Sequence, residues 1–314
     1  MKHNIYYTLG NTEGFVSGGR LGAALGITRA ALWKHIKTFE ADGAVIESVT
    51  GKGYRLKKPP VIPRPEYVKA HLKRDMPVYY KDSVSSTNDM AKAAARDLSI
   101  TEAVFIAGEQ TAGRGRKGRS WISAPGQGLY ISMLIRPKLS AERVSGITLM
   151  AALAVCEAIE NASDEKAYIK WPNDIIINGK KAAGILTESM LSPDGVDYAV
   201  CGIGINTNKN MLDEALPQTA VALEANNTLL AAAVIDRFFS LYDTFVKEGV
   251  SAFMTGFRKR NAVKGTVTLI TATENITGEF IGYDEQGAII ISSGGVKKRF
   301  VAGEISLRGD KNYV

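Results

Sequence analysis

The chain has 314 residues, 45% of them apolar, and 39 Lys/Arg against 32 Asp/Glu give a net charge of +7. That length suits two or three packed domains. No apolar run approaches the ~20 residues that span a bilayer, and the polar start Met1-Lys2-His3-Asn4 lacks a signal-peptide core, so a cytoplasmic protein with no membrane partner is expected. The three histidines, His3, His35 and His71, all precede residue 72, which excludes a Ser-His-Asp triad and His-ligated zinc from everything beyond it. Cys156 and Cys201 stand alone in apolar surroundings and read as buried thiols.

Charge is uneven along the chain. Residues 1–62 hold nine Lys/Arg against four Asp/Glu, a net of +5, which leaves +2 for the rest. Ser17 is the N-cap expected for a short glycine-rich helix around Leu21–Leu25, and Thr28 for a helix running to about Ala41 with Leu32, Ile36 and Phe39 on one face. Two apolar runs, Ala44–Val49 and Gly53–Leu56, flank a basic tip at Thr50-Gly51-Lys52. Helix, turn, basic helix and hairpin predict a winged helix-turn-helix. Thr28, Arg29, Lys34 and Lys37 would face a DNA major groove, and Lys52 the backbone. Four prolines between Pro59 and Pro65 then mark a semi-rigid extended linker.

Beyond the linker, strand and helix patterns alternate, giving α/β or α+β architecture. Val78–Lys81 reads as a strand, after which Ser86, Thr87 and Asn88 open a helix. Hydroxyls and free N–H groups at a helix start serve either a small polar ligand or ordinary capping. Next comes Gly113-Arg-Gly-Arg-Lys-Gly-Arg119, four cations and three glycines in seven residues, a loop expected to stay mobile until an anion neutralises it. Its glycine spacing matches the dinucleotide fingerprint, but the loop leads into the strand-like run Leu129–Ile135 instead of a helix, and no acidic residue lies between Glu109 and Glu142.

In Lys170-Trp-Pro-Asn-Asp174-Ile-Ile-Ile-Asn178-Gly179-Lys-Lys181, the Asn-Gly pair predicts a type I′ hairpin. The register then pairs Ile177 with Lys180, Ile176 with Lys181 and Asp174 with Ala183. Asp174 and Lys181 share one face, and Ala183 leaves room beside them. Cys201-Gly-Ile-Gly-Ile-Asn206 ends a strand with glycines that admit close backbone approach. A site of Arg, Lys, Asp and Asn without His suits transfer at phosphorus, where catalysis is alignment and charge neutralisation. From Lys264 onward, short strands at Thr266–Thr271, Gly278–Tyr283, Ala288–Ser292 and Lys297–Val301 predict a small β-barrel.

Ser86-Thr-Asn88, Gly113–Gly118, Lys170–Asp174, Gly179–Gly184 and Gly202–Asn206 in this order resemble the biotin protein ligase family. Thr28–Ile36 and Gly51–Tyr54 resemble the winged helix of its bifunctional members, which also repress biotin genes. The lipoate-ligase pattern Arg-Arg-x-Ser-Gly-Gly-Gly is absent. The resemblance implies an α+β chain in three parts: a DNA-binding domain over 1–62, a central ligase domain over 63–263 similar to class II synthetases, and an SH3-like barrel over 264–314. It implies formation of biotinyl-AMP from biotin and ATP with Mg²⁺, then transfer to a lysine of a biotin carboxyl carrier protein. Operator DNA and a second copy of the chain would be its other partners.

Carried over by motif, Ser86, Thr87, Asn88, Gln110, Arg114 and Gly115 would hold biotin, and Arg116 the adenylate. Lys181 would contact the biotin carboxylate and the reacting phosphate. Arg119, Asn173, Asp174 and Asn206 would serve the nucleotide or metal side, with Asp174 as metal ligand. Glu304 and Arg308 would support nucleotide or acceptor. The segment Leu216–Leu223 departs from some relatives in having no aromatic residue to cover the adenine.

Overall fold

The computed structural model describes residues 2–208, 221–270, 274–301 and 306–309. Its first helix, α1 (Lys2–Gly10), is one that the sequence pattern does not announce. It forms because Ile5, Tyr6 and Leu9 bury against Leu21, Leu32, Ile36 and Phe39. The next two helices start where their caps place them. The Ser17 hydroxyl accepts from Arg20 N to begin α2 (Gly18–Leu25), and Thr28 accepts from Ala31 N to begin α3 (Arg29–Ala41). Gly26, at φ 64°, closes α2 in the left-handed region. Antiparallel strands β1 (Val45–Val49) and β2 (Gly53–Lys58) make the expected wing.

The proline run expected to be a semi-rigid extended linker is pinned to the N-terminal domain. The carbonyl of Asp42, a residue only 4% exposed, accepts from Val61 N and Ile62 N, and its carboxylate accepts from Arg64 Nε at 3.0 Å and Tyr67 Oη at 2.6 Å. A buried carboxylate needs such partners, and the linker supplies them. The short helix α4 (Pro65–Val68) is thereby held between two cores: Tyr67 packs with the N-terminal helices and Val68 with the central domain.

The central sheet has strand order β3-β4-β5-β9-β8-β7-β6, formed by β3 (Val78–Val84), β4 (Glu102–Gln110), β5 (Gly128–Ile135), β6 (Tyr168–Lys170), β7 (Asp174–Ile177), β8 (Lys180–Ser192) and β9 (Gly195–Asn206). Only β3 and β4 are parallel, joined by a crossover through α5 (Thr87–Ala94), so the sheet is mixed. α5 covers one face over Phe105, Leu134 and Val200. Against the other pack α6 (Val144–Ala162), α7 (Asn227–Glu248) and α8 (Ser251–Lys259). Among the described residues one helix, within Ala141–Ala162, is long and apolar enough to cross a membrane; 67% of its apolar window is buried in this fold.

Asn178 and Gly179 turn at φ 51° and 73°, the expected type I′ geometry. Ile177 pairs with Lys180 and Ile176 with Lys181 as expected, but Asp174 faces Gly184 instead of Ala183. A bulge between Ile175 and Ile176 absorbs one extra residue of β8. Gly184 thus leaves the room above the sheet, while Ala183 is buried in the core.

The C-terminal strands β10 (Thr266–Ile270), β11 (Asn275–Tyr283), β12 (Ile289–Ser293), β13 (Val296–Phe300) and β14 (Ser306–Gly309) form one antiparallel sheet in the order β13-β12-β11-β10-β14. These five strands make the all-antiparallel C-terminal β domain expected from sequence; among the described residues β13 and β14 are not paired with each other. Val267, Leu269, Ile289 and Ile291 join the core of the central domain, and Trp171 Nε1 donates to Gly287 O at 3.0 Å.

Candidate active site and nucleic-acid interface

The central sheet, the start of α5 and the basic loop enclose a cavity of about 610 Å³. Arg114, Arg116, Arg119, Lys170 and Lys181 line it against one carboxylate, Asp174. A lining of this sign concentrates anions.

Three elements bring the charged side chains together. The bulged hairpin sets Lys181 Nζ 2.7 Å from Asp174 Oδ1, and Lys181 also lies over the Trp121 ring, 5.3 Å from its centroid. Arg116, on the basic loop, donates to Asn173 Oδ1 at 2.9 Å, while Asn173 Nδ2 donates to Ile185 O. Burial pushes the Arg116 guanidinium below its ordinary pKa, with Asp174 opposing and Arg119 adding to the shift. The glycines under this group make the space: a Cβ on Gly204 would lie 2.3 Å from Trp121 Nε1, and one on Gly184 3.0 Å from the same ring.

The other end of the cavity is uncharged and tightly wired. Ser86 takes the N-cap position of α5, yet its side chain makes no capping bond. Gln110 Oε1 instead accepts from Thr87 N at 2.9 Å and from Thr87 Oγ1 at 3.1 Å, while Gln110 Nε2 donates to Ser123 Oγ. Ordinary capping is therefore done from a strand, and Ser86 lines the cavity. Asn88 is seated over Gly202, where a Cβ would lie 2.2 Å from Asn88 Oδ1.

The basic loop is more anchored than its charge suggests. Arg114 forms a two-pronged ion pair with Asp89, whose carboxyl is held below its usual range chiefly by that hydrogen bond. Gly115 N donates to Arg119 O, Trp121 N to Gly113 O, and Lys117 Nζ reaches Ile270 O at 3.4 Å. Protein partners relieve the repulsion among the cations.

Ser86, Thr87, Asn88, Gln110, Arg114, Gly115, Arg116, Arg119, Asn173, Asp174 and Lys181 all line this one cavity, as the sequence reading expects. Asn206 does not: it is buried, and its amide donates to Val221 O at 3.3 Å. It braces a segment whose Val221 N donates to Lys181 O. The rest of the stretch lacking an aromatic adenine cover, up to residue 220, lies outside the described residues, as do Glu304 and the side chain of Arg308. Sequence reasoning gave no role to Trp121, Lys170, Ser132 or Glu188. A Lys only 6% exposed and a Ser fully buried mid-strand become signals only once burial is known.

Among the described residues there is no group of three His, Cys, Asp or Glu that could hold a metal. One carboxylate already paired with Lys181 is a poor resident Mg²⁺ site. It fits an ion that enters with nucleotide phosphates, as Mg²⁺ usually does.

In the N-terminal domain, Thr28, Arg29, Lys34, Lys37 and Lys52 are all exposed, the first four on α3 or its cap and Lys52 at the wing tip. Lys37 also pairs with Glu40 at 2.6 Å. Trp33, 53% exposed on the same helix, was not singled out from sequence.

A cationic cavity on a mixed sheet, preceded by a helix-turn-helix, defines a class of two-function proteins in which a ligase-type domain carries its own DNA reader. Matches to family models agree with it: an HTH domain over residues 2–55, the biotin/lipoate A/B protein ligase family over 80–206, and the biotin protein ligase C terminal domain over 266–308. The chain is 34% identical over 301 residues to the bifunctional ligase/repressor BirA of Bacillus subtilis (strain 168), covering 92% of this chain and 93% of that protein. To the protein of the same name from Escherichia coli (strain K12) it is 33% identical over 309 residues, covering 96% and 95%. Biotin protein ligase from Aquifex aeolicus, solved in complex with biotin and ATP, superposes with a TM-score of 0.65 at 28% identity, covering 74% of this chain and 99% of that one. The chain belongs to the biotin protein ligase family, in its bifunctional ligase/repressor form.

Proposed function

We propose that the cavity activates biotin with ATP and passes it to a lysine of a biotin carboxyl carrier protein, and that the N-terminal domain represses biotin genes by binding operator DNA. In the first step a biotin carboxylate oxygen attacks the α-phosphorus, and pyrophosphate leaves to give biotinyl-5′-AMP. In the second, the carrier lysine's ε-amine attacks the acyl carbon and AMP leaves. The observation that carries this reading is the Lys181–Asp174–Arg116 group at one end of a cavity whose other end is a neutral hydrogen-bonding socket.

Ser86, Thr87, Asn88 and Gln110 bind the ureido ring in that socket, and Arg114 and Gly115 close over it. Lys181 neutralises charge shared by the carboxylate and the phosphate, and Arg116 holds the adenylate, with Arg119 and Asn173 on the nucleotide side. Asp174 keeps Lys181 in place and orients the incoming amine. Asp174, the carboxylate that lines the cavity, would hold a Mg²⁺ that arrives with ATP, and such an ion would supply countercharge to the triphosphate. Asn206 acts through the Val221 segment beside Lys181.

Arg29, Lys34, Lys37 and Lys52 contact DNA, and Thr28 sets the start of the reading helix. A ligand-promoted homodimer matches two half-sites. The free thiols of Cys156 and Cys201 support a cytoplasmic setting.

Purified protein given biotin and ATP should release pyrophosphate and then label a carrier domain. Binding of biotin with neither product would leave a regulator and sink the enzyme.

A further inference from the structure

Trp33 is the one large apolar side chain that α3 leaves out of the N-terminal core. Leu32, Ile36 and Phe39 are at most 2% exposed there, whereas Trp33, outside that stripe, keeps half its surface in water. Its neighbours three and four residues away, besides the buried Ile36, are Arg29, Ala30 and Lys37, all exposed. Lys37 Nζ lies 5.8 Å from the indole centroid while pairing with Glu40, so the ring is held by a cation on the C-terminal side.

The surroundings say what covers such a ring. Arg29, Lys34 and Lys37 share this part of α3, and no acidic residue precedes Glu40 on the helix. Charge of this sign suits a polyanion, but an indole in its midst has nothing to offer a phosphate. It suits a surface that is anionic at its rim and apolar at its floor. The DNA major groove is such a surface wherever it holds thymine, the only base to present a methyl group there. Trp33 is the fifth residue of α3, in the half of a reading helix that meets base edges. Helical side chains lean toward the N-terminus, which directs the indole over the turn of Arg29 and Ala30, and Ala30 is too small to shield it.

We infer that Trp33 is a specificity-determining residue, its ring packing on the C5-methyl group of a thymine in the operator's major groove. The inference rests on α3 being the helix that reads DNA. The cations around Trp33 supply affinity through charge, and the indole adds a discrimination that charge alone lacks.

Replacing thymine by uracil removes that methyl group and leaves every base-pair hydrogen bond in place. Duplexes are enriched from a random library on the full-length protein with biotin and ATP present, and the enriched duplex is remade with uracil for each thymine in turn. Wild type is expected to bind at least one uracil duplex about fourfold more weakly, the size of one methyl group removed from an apolar contact. W33A should bind the parent duplex about tenfold more weakly and lose that fourfold difference. Any effect of uracil on the duplex itself would persist in W33A. Its affinity for a scrambled duplex, and the salt dependence of that affinity, should match wild type, because no charge is removed. A Trp33 that merely stiffened α3 would give a W33A that binds more weakly yet answers to uracil as before, and this would overturn the inference. So would a wild type indifferent to uracil at every thymine; in both cases DNA reading by α3 stands. If the library yields no enriched duplex, that reading falls and the inference with it. Should W33A show no melting transition, W33K is read in its place: a lost response to uracil supports the thymine contact, and a retained one overturns it.

Discussion

Lys181 meets three groups: the Asp174 carboxylate, the Trp121 ring and the open cavity. Lys181→Ala should therefore lower the rate of biotin-dependent pyrophosphate release by about 100-fold or more, the usual size for losing a group aimed at developing charge. Its melting temperature should stay close to wild type, since the side chain is partly exposed. Full activity in this variant would remove the role given to Lys181.

Asp89 supports a prediction with a definite sign. Its carboxyl is held down, first by the Arg114 hydrogen bond against the opposing pull of burial, then by Lys92. A depressed folded-state pKa stabilises fully above the unfolded value, about 3.9, and is lost as pH falls through the folded one. Hydrogen exchange over residues 113–121, corrected for intrinsic rates, should stay flat from neutral pH to about 4 and rise below it. Asp89→Asn should show that faster exchange already at neutral pH.

Legibility at the element scale tracks the range of the forces involved. The hairpin was readable because Asn-Gly dictates its own turn, and the caps of α2 and α3 because Ser17 and Thr28 bond to backbone three residues on. The bulge in β8 was not, because Ala182 and Ala183 are both buried and no break in polarity marks the extra residue. Nor was α1, whose stability comes from distant partners in the N-terminal core. The cap on α5 fails for the same reason: its acceptor, Gln110, comes from β4.

Two elements can be tested directly. Gly204→Ala would put a methyl group where the Trp121 indole lies, so biotin affinity by calorimetry should fall roughly tenfold or more. The loop from Gly113 to Arg119, tied by Asp89 and Asn173 yet lined with further cations, should order fully only over the adenylate. Trypsin cleavage within it is expected to slow at least about tenfold when biotin and ATP are both present. Equal cleavage with and without them would count against a lid.

For the whole molecule, the packing separates two large cores, with a smaller apolar cluster under α5. The N-terminal helices and wing form one; the central domain and C-terminal sheet share the other, with α4 between them. Scanning calorimetry should accordingly resolve two transitions, and ligand at 1,000 times its Kd should stabilise the larger by about 4 kcal/mol. Operator affinity should fall steeply with salt if, as proposed, Lys52 reaches the DNA backbone beside the cations of α3.

The bond from Trp171 Nε1 to Gly287 O, with Phe257 edge-on to Tyr283 at 5.3 Å, gives the C-terminal sheet a further meaning. It serves as the outer wall of the ligase core. A chain stopped before Lys264 would expose Phe257, strand the Trp171 indole N–H, and meet the cell as an aggregation-prone fragment, recovered from the insoluble fraction.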